Sequence, residues 1–64
     1  MTLDNIIDII SKRDDLTIDE AKDVVYETKS MIDDAILSGD FTEVEQIMID
    51  QLGLEMDYIY AFID

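Results

Sequence analysis

Residues 17–39, TIDEAKDVVYETKSMIDDAILSG, contain a helix start, an apolar stripe and a stop. Thr17 followed three places later by Glu20 is a capping box: the hydroxyl and the carboxylate each accept from an otherwise orphaned backbone N–H. Ile18, Ala21, Val25, Thr28, Ile32 and Ala35 then recur at alternating spacings of three and four, with Val24, Met31 and Ile36 widening the stripe. Gly39 ends the run, because glycine takes the left-handed conformation that closes a helix most readily. The spacing predicts a helix over 18–37, the longest in the chain.

Working outward, Ser38-Gly39-Asp40 is too short a link to do anything but turn the chain back into an antiparallel helical hairpin. The second arm should start at Asp40 or Thr42, present Val44, Ile47, Met48 and Leu52 on one face, and stop at Gly53. Upstream, Leu3, Ile6, Ile7 and Ile10 follow the helical pattern with Asp4 and Asp8 turned outward, predicting a helix over 2–12 that ends before Asp14-Asp15. Downstream, Glu55 to Ile63 reads as a short fourth helix with Met56, Ile59 and Ile63 on one side and Tyr58 and Phe62 beside them. The expected fold is all-α, a small bundle of three to four helices built around that hairpin, in one domain over residues 1–64.

Composition bounds the rest. A hydrophobic share of 48% is too high for a disordered acidic tail, even at a net charge of −13. A chain of 64 residues buries little surface, and with no Cys and no His it lacks the usual covalent and metal staples, so self-association is the expected aid to stability. No apolar run reaches the ~18 residues of a membrane span. Asp4 stands where a signal peptide would be positive, so a cytoplasmic location is expected.

The acids are unevenly placed. All four bases, Lys12, Arg13, Lys22 and Lys29, precede Ser30, and none follows it. Asp19, Asp23, Glu27 and Asp34 are spaced by four, four and seven, along one flank of the long helix. Like charges at i, i+4 cost a helix a few tenths of a kcal/mol per pair. Two readings stay open: a face that keeps an apolar small protein in solution, and an acidic binding face for a protein whose own site is built to hold nucleic acid. The same charge repels nucleic acid and anionic membranes, so neither is an expected direct partner.

Asp34, Ser38, Gly39 and Glu45 fall at the first, fifth, sixth and twelfth places of an EF-hand loop, with Phe41 at the eighth. Ile36 stands at the third, where an oxygen ligand is required. No metal or other cofactor is expected. Nucleophilic catalysis lacks its usual residues, and no glycine-rich phosphate loop is present, so an enzyme is not expected. The C-terminal cluster Met48, Met56, Tyr58, Tyr60 and Phe62 is a candidate apolar interface, since aromatics and Met are enriched at contacts. The other reading has Tyr58 and Phe62 covering the core and Tyr60 on the rim.

In order along the chain, Leu16-Thr17-Ile18-Asp19-Glu20-Ala21, Ser38-Gly39-Asp40-Phe41, Leu52-Gly53-Leu54-Glu55 and Asp57-Tyr58-Ile59 resemble a family of small acidic proteins of bacteriophages and prophages of Gram-positive bacteria. The shared motifs are structural, and no catalytic residue is carried over from them. The resemblance implies a setting in the host cytoplasm, where small early phage proteins often bind and redirect host enzymes and some acidic ones imitate DNA. The expected function is therefore an acidic binding protein that engages a basic site on a host macromolecule, as a DNA mimic or inhibitor. The alternative is a self-associating structural or accessory module, a homodimer in the simplest case, whose acids only solubilise it.

Overall fold

The structure, a computed structural model, describes residues 2–63. Helix α1 spans Leu3–Asp14, α2 Ile18–Leu37 and α3 Phe41–Ile47. α3 runs on into a wider π-helical turn, Met48–Leu52, and a 3-10 helix over Met56–Ala61 closes the chain. The described residues contain no strand, and the chain is an all-α bundle.

The ends of these helices are written locally. At α2, Thr17 Oγ1 accepts from the Glu20 N–H at 3.1 Å while the Glu20 carboxylate accepts from the Thr17 N–H at 2.9 Å. Gly39, at φ +75°, closes the same helix with a two-bond stop: its N–H donates to Ile36 O at 3.0 Å and the Asp40 N–H donates to Ala35 O at 2.9 Å. α2 thus occupies the span its sequence predicts.

The other ends depart from expectation in instructive ways. α1 starts on a second capping box, between Thr2 and Asn5, with Asn in place of the usual Glu or Gln. It also runs through Asp14, because Asp15 adopts the left-handed conformation (φ 56°) and Leu16 N–H donates back to Ser11 O at 3.0 Å. Asp15 is the only described non-glycine residue at positive φ. α3 is capped by Asp40, not Thr42: its carboxylate accepts from the Glu43 N–H at 3.2 Å. In the π turn the Gly53 N–H donates to Ile49 O at 2.9 Å and the Leu54 N–H donates to Met48 O at 3.3 Å, which draws Leu54 into the core.

The fourth helix is 3-10 rather than α, with the Tyr58 N–H donating to Glu55 O and the Phe62 N–H to Ile59 O. Side chains three apart eclipse in that geometry. Met56, Ile59 and Phe62 therefore form one row, and Asp57, Tyr60 and Ile63 another. Ile59 and Phe62 of the first row are buried and Met56 at its start is exposed, while Tyr60 and Ile63 face outward. The expected pairing of Ile59 with Ile63, appropriate to an α-helical period, does not occur.

α2 is the spine. α1 packs on it, α3 and the π turn pack on it as well, and the 3-10 helix returns to α1. At 20 residues and ~1.5 Å rise per residue, α2 sets the longest dimension of the molecule, 33 × 18 × 16 Å. The core joins Ile6, Ile7 and Ile10 of α1 to Ala21, Val25 and Ile32 of α2, then to Val44, Ile47, Met48, Leu52, Ile59 and Phe62. Ile18, expected on the α2 stripe, is half exposed at the first turn. Thr28 is the one buried polar residue among those described, and its hydroxyl donates to Val24 O at 2.8 Å. No described helix is long and apolar enough to cross a membrane.

Candidate functional site: the acidic flank of α2 and the groove beside it

Because α2 is regular over its whole length, the spacing of four, four and seven sets Asp19, Asp23, Glu27 and Asp34 on a single flank, and all four are exposed. None is in an ion pair with a described base. The bases are occupied elsewhere: Lys12 holds Asp8 at 3.1 Å, Arg13 holds Asp14 at 2.9 Å and Lys29 holds Asp33 at 2.9 Å. These pairs are solvent-exposed and stabilise little. Their larger effect is to keep three of the four cations beside acids of their own helix.

The Arg13 contact is two-pronged, Nε and Nη2 each donating to one Asp14 oxygen at 2.9 Å. It holds the Asp14 carboxyl below its ordinary range and raises the Arg13 guanidinium. The same guanidinium lies against Gly53, about 3.5 Å from where a Cβ would stand. A cation thus faces the carbonyl end of the π turn, where the helix dipole favours positive charge.

The C-terminal end of α2 has no such partner. Its last turn contains Asp34 and no base, an arrangement the helix dipole disfavours. Asp40 and Glu43 follow directly. Beside this end, α2 and α3 leave an open groove of about 300 Å³, lined by Met31, Asp34, Ala35, Ser38, Glu43 and Ile47. Its floor is apolar, and Asp34 and Glu43 supply one carboxylate from each wall. Of the acidic residues expected to bind, Asp34 alone belongs to both the flank and the groove.

The C-terminal apolar cluster is divided by the fold. Met48 and Phe62 are fully buried, at 0% and 1% exposure, so they are core residues and cannot serve as surface contacts. Tyr58 is half-buried against the core. Met56 and Tyr60 remain exposed, Tyr60 at 69%, with Ile63 beside them in sequence. Two further exposed apolar side chains, Leu37 and Phe41, bracket the α2–α3 turn at 86% and 66%. Sequence periodicity missed the groove because a concavity depends on two helices at once. Leu37 was legible as the one large apolar residue of the last turn that falls off the α2 stripe.

Among the described residues, no group of three or more His, Cys, Asp or Glu is gathered as a metal site would require. Asp34 and Ile36 remain helical, so the chain between Asp34 and Glu45 does not take the course of a calcium loop. No protein-family model, curated protein or solved structure matches the chain.

Proposed function

We propose that this chain is a small acidic binding protein whose α2 flank, Asp19, Asp23, Glu27 and Asp34, engages a basic site on a protein partner. The reading is supported above all by the placement of these four carboxylates, exposed and unpaired with any described base on one side of the longest helix. Like charges one turn apart work against the helix that displays them, which is the pattern of a surface selected for what it attracts. The resemblance to phage and prophage proteins supplies the setting, a host cytoplasm, and a host nucleic-acid-binding protein as the partner class. In that setting the flank acts as a DNA mimic and the chain as an inhibitor.

Charge-steered association weakens steeply with salt. Tagged protein incubated with lysate of a Gram-positive host should retain a nucleic-acid-binding protein at about 0.05 M salt and release it near 0.5 M, where screening shortens the reach of charge several-fold. Replacing the four acids by their amides should abolish retention while leaving the helical circular dichroism intact. Capture indifferent to both salt and these substitutions would remove charge as the driver.

The competing reading is a self-associating accessory module, favoured by the exposed apolar residues Met56, Tyr60 and Ile63. Sedimentation velocity separates the two. A dimer that dissociates when Tyr60 is replaced by Ser would support the module, and a monomer across the accessible concentrations would remove it.

A further inference from the structure

We propose that the groove between α2 and α3 is the seat of a cationic amphipathic segment of the partner, with apolar side chains on the floor and flanking Lys or Arg on the walls. The proposal rests on the acidic binding reading above and adds where, and by what chemistry, the partner is held. A volume of about 300 Å³ lies at the lower bound of small-molecule pockets, and the groove is open rather than enclosed. That space suits one or two large side chains presented by a chain lying across it better than a separate ligand.

Met31, Ala35 and Ile47 make the floor, so its occupant is apolar at the point of contact. Asp34 and Glu43 stand on opposite walls without a described cationic partner, so the occupant is positive at its margins. The negative end of the α2 dipole adds to the same field. The chain's own cations do not fill this role: Lys29, the nearest in sequence, is turned to Asp33 at 2.9 Å, Lys22 lies near the opposite end of α2, ~18 Å along the helix from Asp34, and Lys12 and Arg13 lie on α1. A second copy is the wrong occupant on charge. It brings a further −13, and several of its exposed apolar residues sit beside acids, as in Asp40-Phe41 and Glu55-Met56-Asp57.

Amide chemical-shift mapping on 15N-labelled protein tests the proposal with synthetic helical peptides of about 18 residues, five turns in length. One has leucines on one face and lysines beside them. A second has the same lysines with alanine for leucine, and a third has the leucines with glutamine for lysine. The expected result is saturable shifts centred on Met31, Asp34, Ala35, Ser38, Glu43 and Ile47 with the first peptide only. The double variant Asp34→Asn, Glu43→Gln, at two exposed positions, should weaken binding about tenfold, and Asp19→Asn, Asp23→Asn less than about twofold.

Equal shifts with the lysine–alanine peptide, spread over Asp19, Asp23 and Glu27, would overturn the groove while leaving the acidic-flank reading in place. Shifts with the leucine–glutamine peptide equal to those with the first would remove the walls from the proposal and so overturn it. Groove shifts that arise on concentrating the protein alone would make the occupant a second copy. No shift with any lysine peptide at low salt would defeat both readings.

Discussion

The two halves of this molecule are held by different means. From Thr2 to Leu37 the chain forms two regular helices, each opened by a reciprocal capping box and each closed by a left-handed residue with bonds back into the last turn. All four bases lie here. From Asp40 onward the chain shares the left-handed stop, at Gly53, but has no base, a single one-way cap at Asp40, a π turn in place of a final α turn, and a 3-10 helix without a side-chain cap. Yet this second half supplies Met48, Leu52 and Phe62, among the most completely buried side chains of the core. The first half is specified by local rules at both ends of each helix. The second takes irregular backbone because burial decides where its side chains go.

The strongest way to break that contrast is Phe62→Ala. If burial organises the C-terminal segment, the substitution should cost about 3–5 kcal/mol, most of what a domain this small possesses, and urea unfolding should show it. Ile63→Ala, one residue on and outward in the 3-10 geometry, should change stability by less than about 0.5 kcal/mol. Comparable losses at both positions would mean that the segment follows the α-helical period after all.

Next in size is Thr17→Ala, which removes the acceptor for the Glu20 N–H and should cost about 1 kcal/mol. A negligible effect would show that α2 is fixed by packing rather than by its own start signal. Asp15→Gly should act in the opposite direction, raising stability by up to about 1 kcal/mol, because a side chain is disfavoured in the left-handed region. A loss instead would mean that Asp15 contributes a contact worth more than the relief.

The smallest effect is on pH dependence. Bonds from Thr17 hold the Glu20 carboxyl below its ordinary value of 4.5, so the unfolded chain takes up this proton first on acidification. The stabilisation from this group is therefore complete well above pH 4.5 and is lost as pH falls below that value through the lowered folded pKa. Glu20→Gln should flatten this part of the urea midpoint profile. An unchanged slope would remove the capping carboxylate as its source.

Much of the fold was legible in the residues. The α2 span, its stripe, the Gly39 stop and the hairpin followed from spacing and backbone chemistry, as did the burial of Val44, Ile47, Met48 and Leu52. The start of α1 is also written in the sequence, in Thr2 and Asn5 as a capping box with a shorter partner. The acidic flank was legible too, because it lies on one uninterrupted helix. The groove was not, since Asp34 and Glu43 become neighbours of one concavity only when α3 folds back on α2.

The sequence by itself determined where α2 starts and stops, since the Thr17–Glu20 capping bonds and the left-handed freedom of Gly39 act over three to five positions whatever else the chain does. Only the tertiary structure decided the period of residues 56–61. Local preference there is weak, and a 3-10 turn eclipses Ile59 with Phe62 over α1 and leaves Ile63 outward, whereas an α-helical period would have set Ile63 beside Ile59 on the buried side.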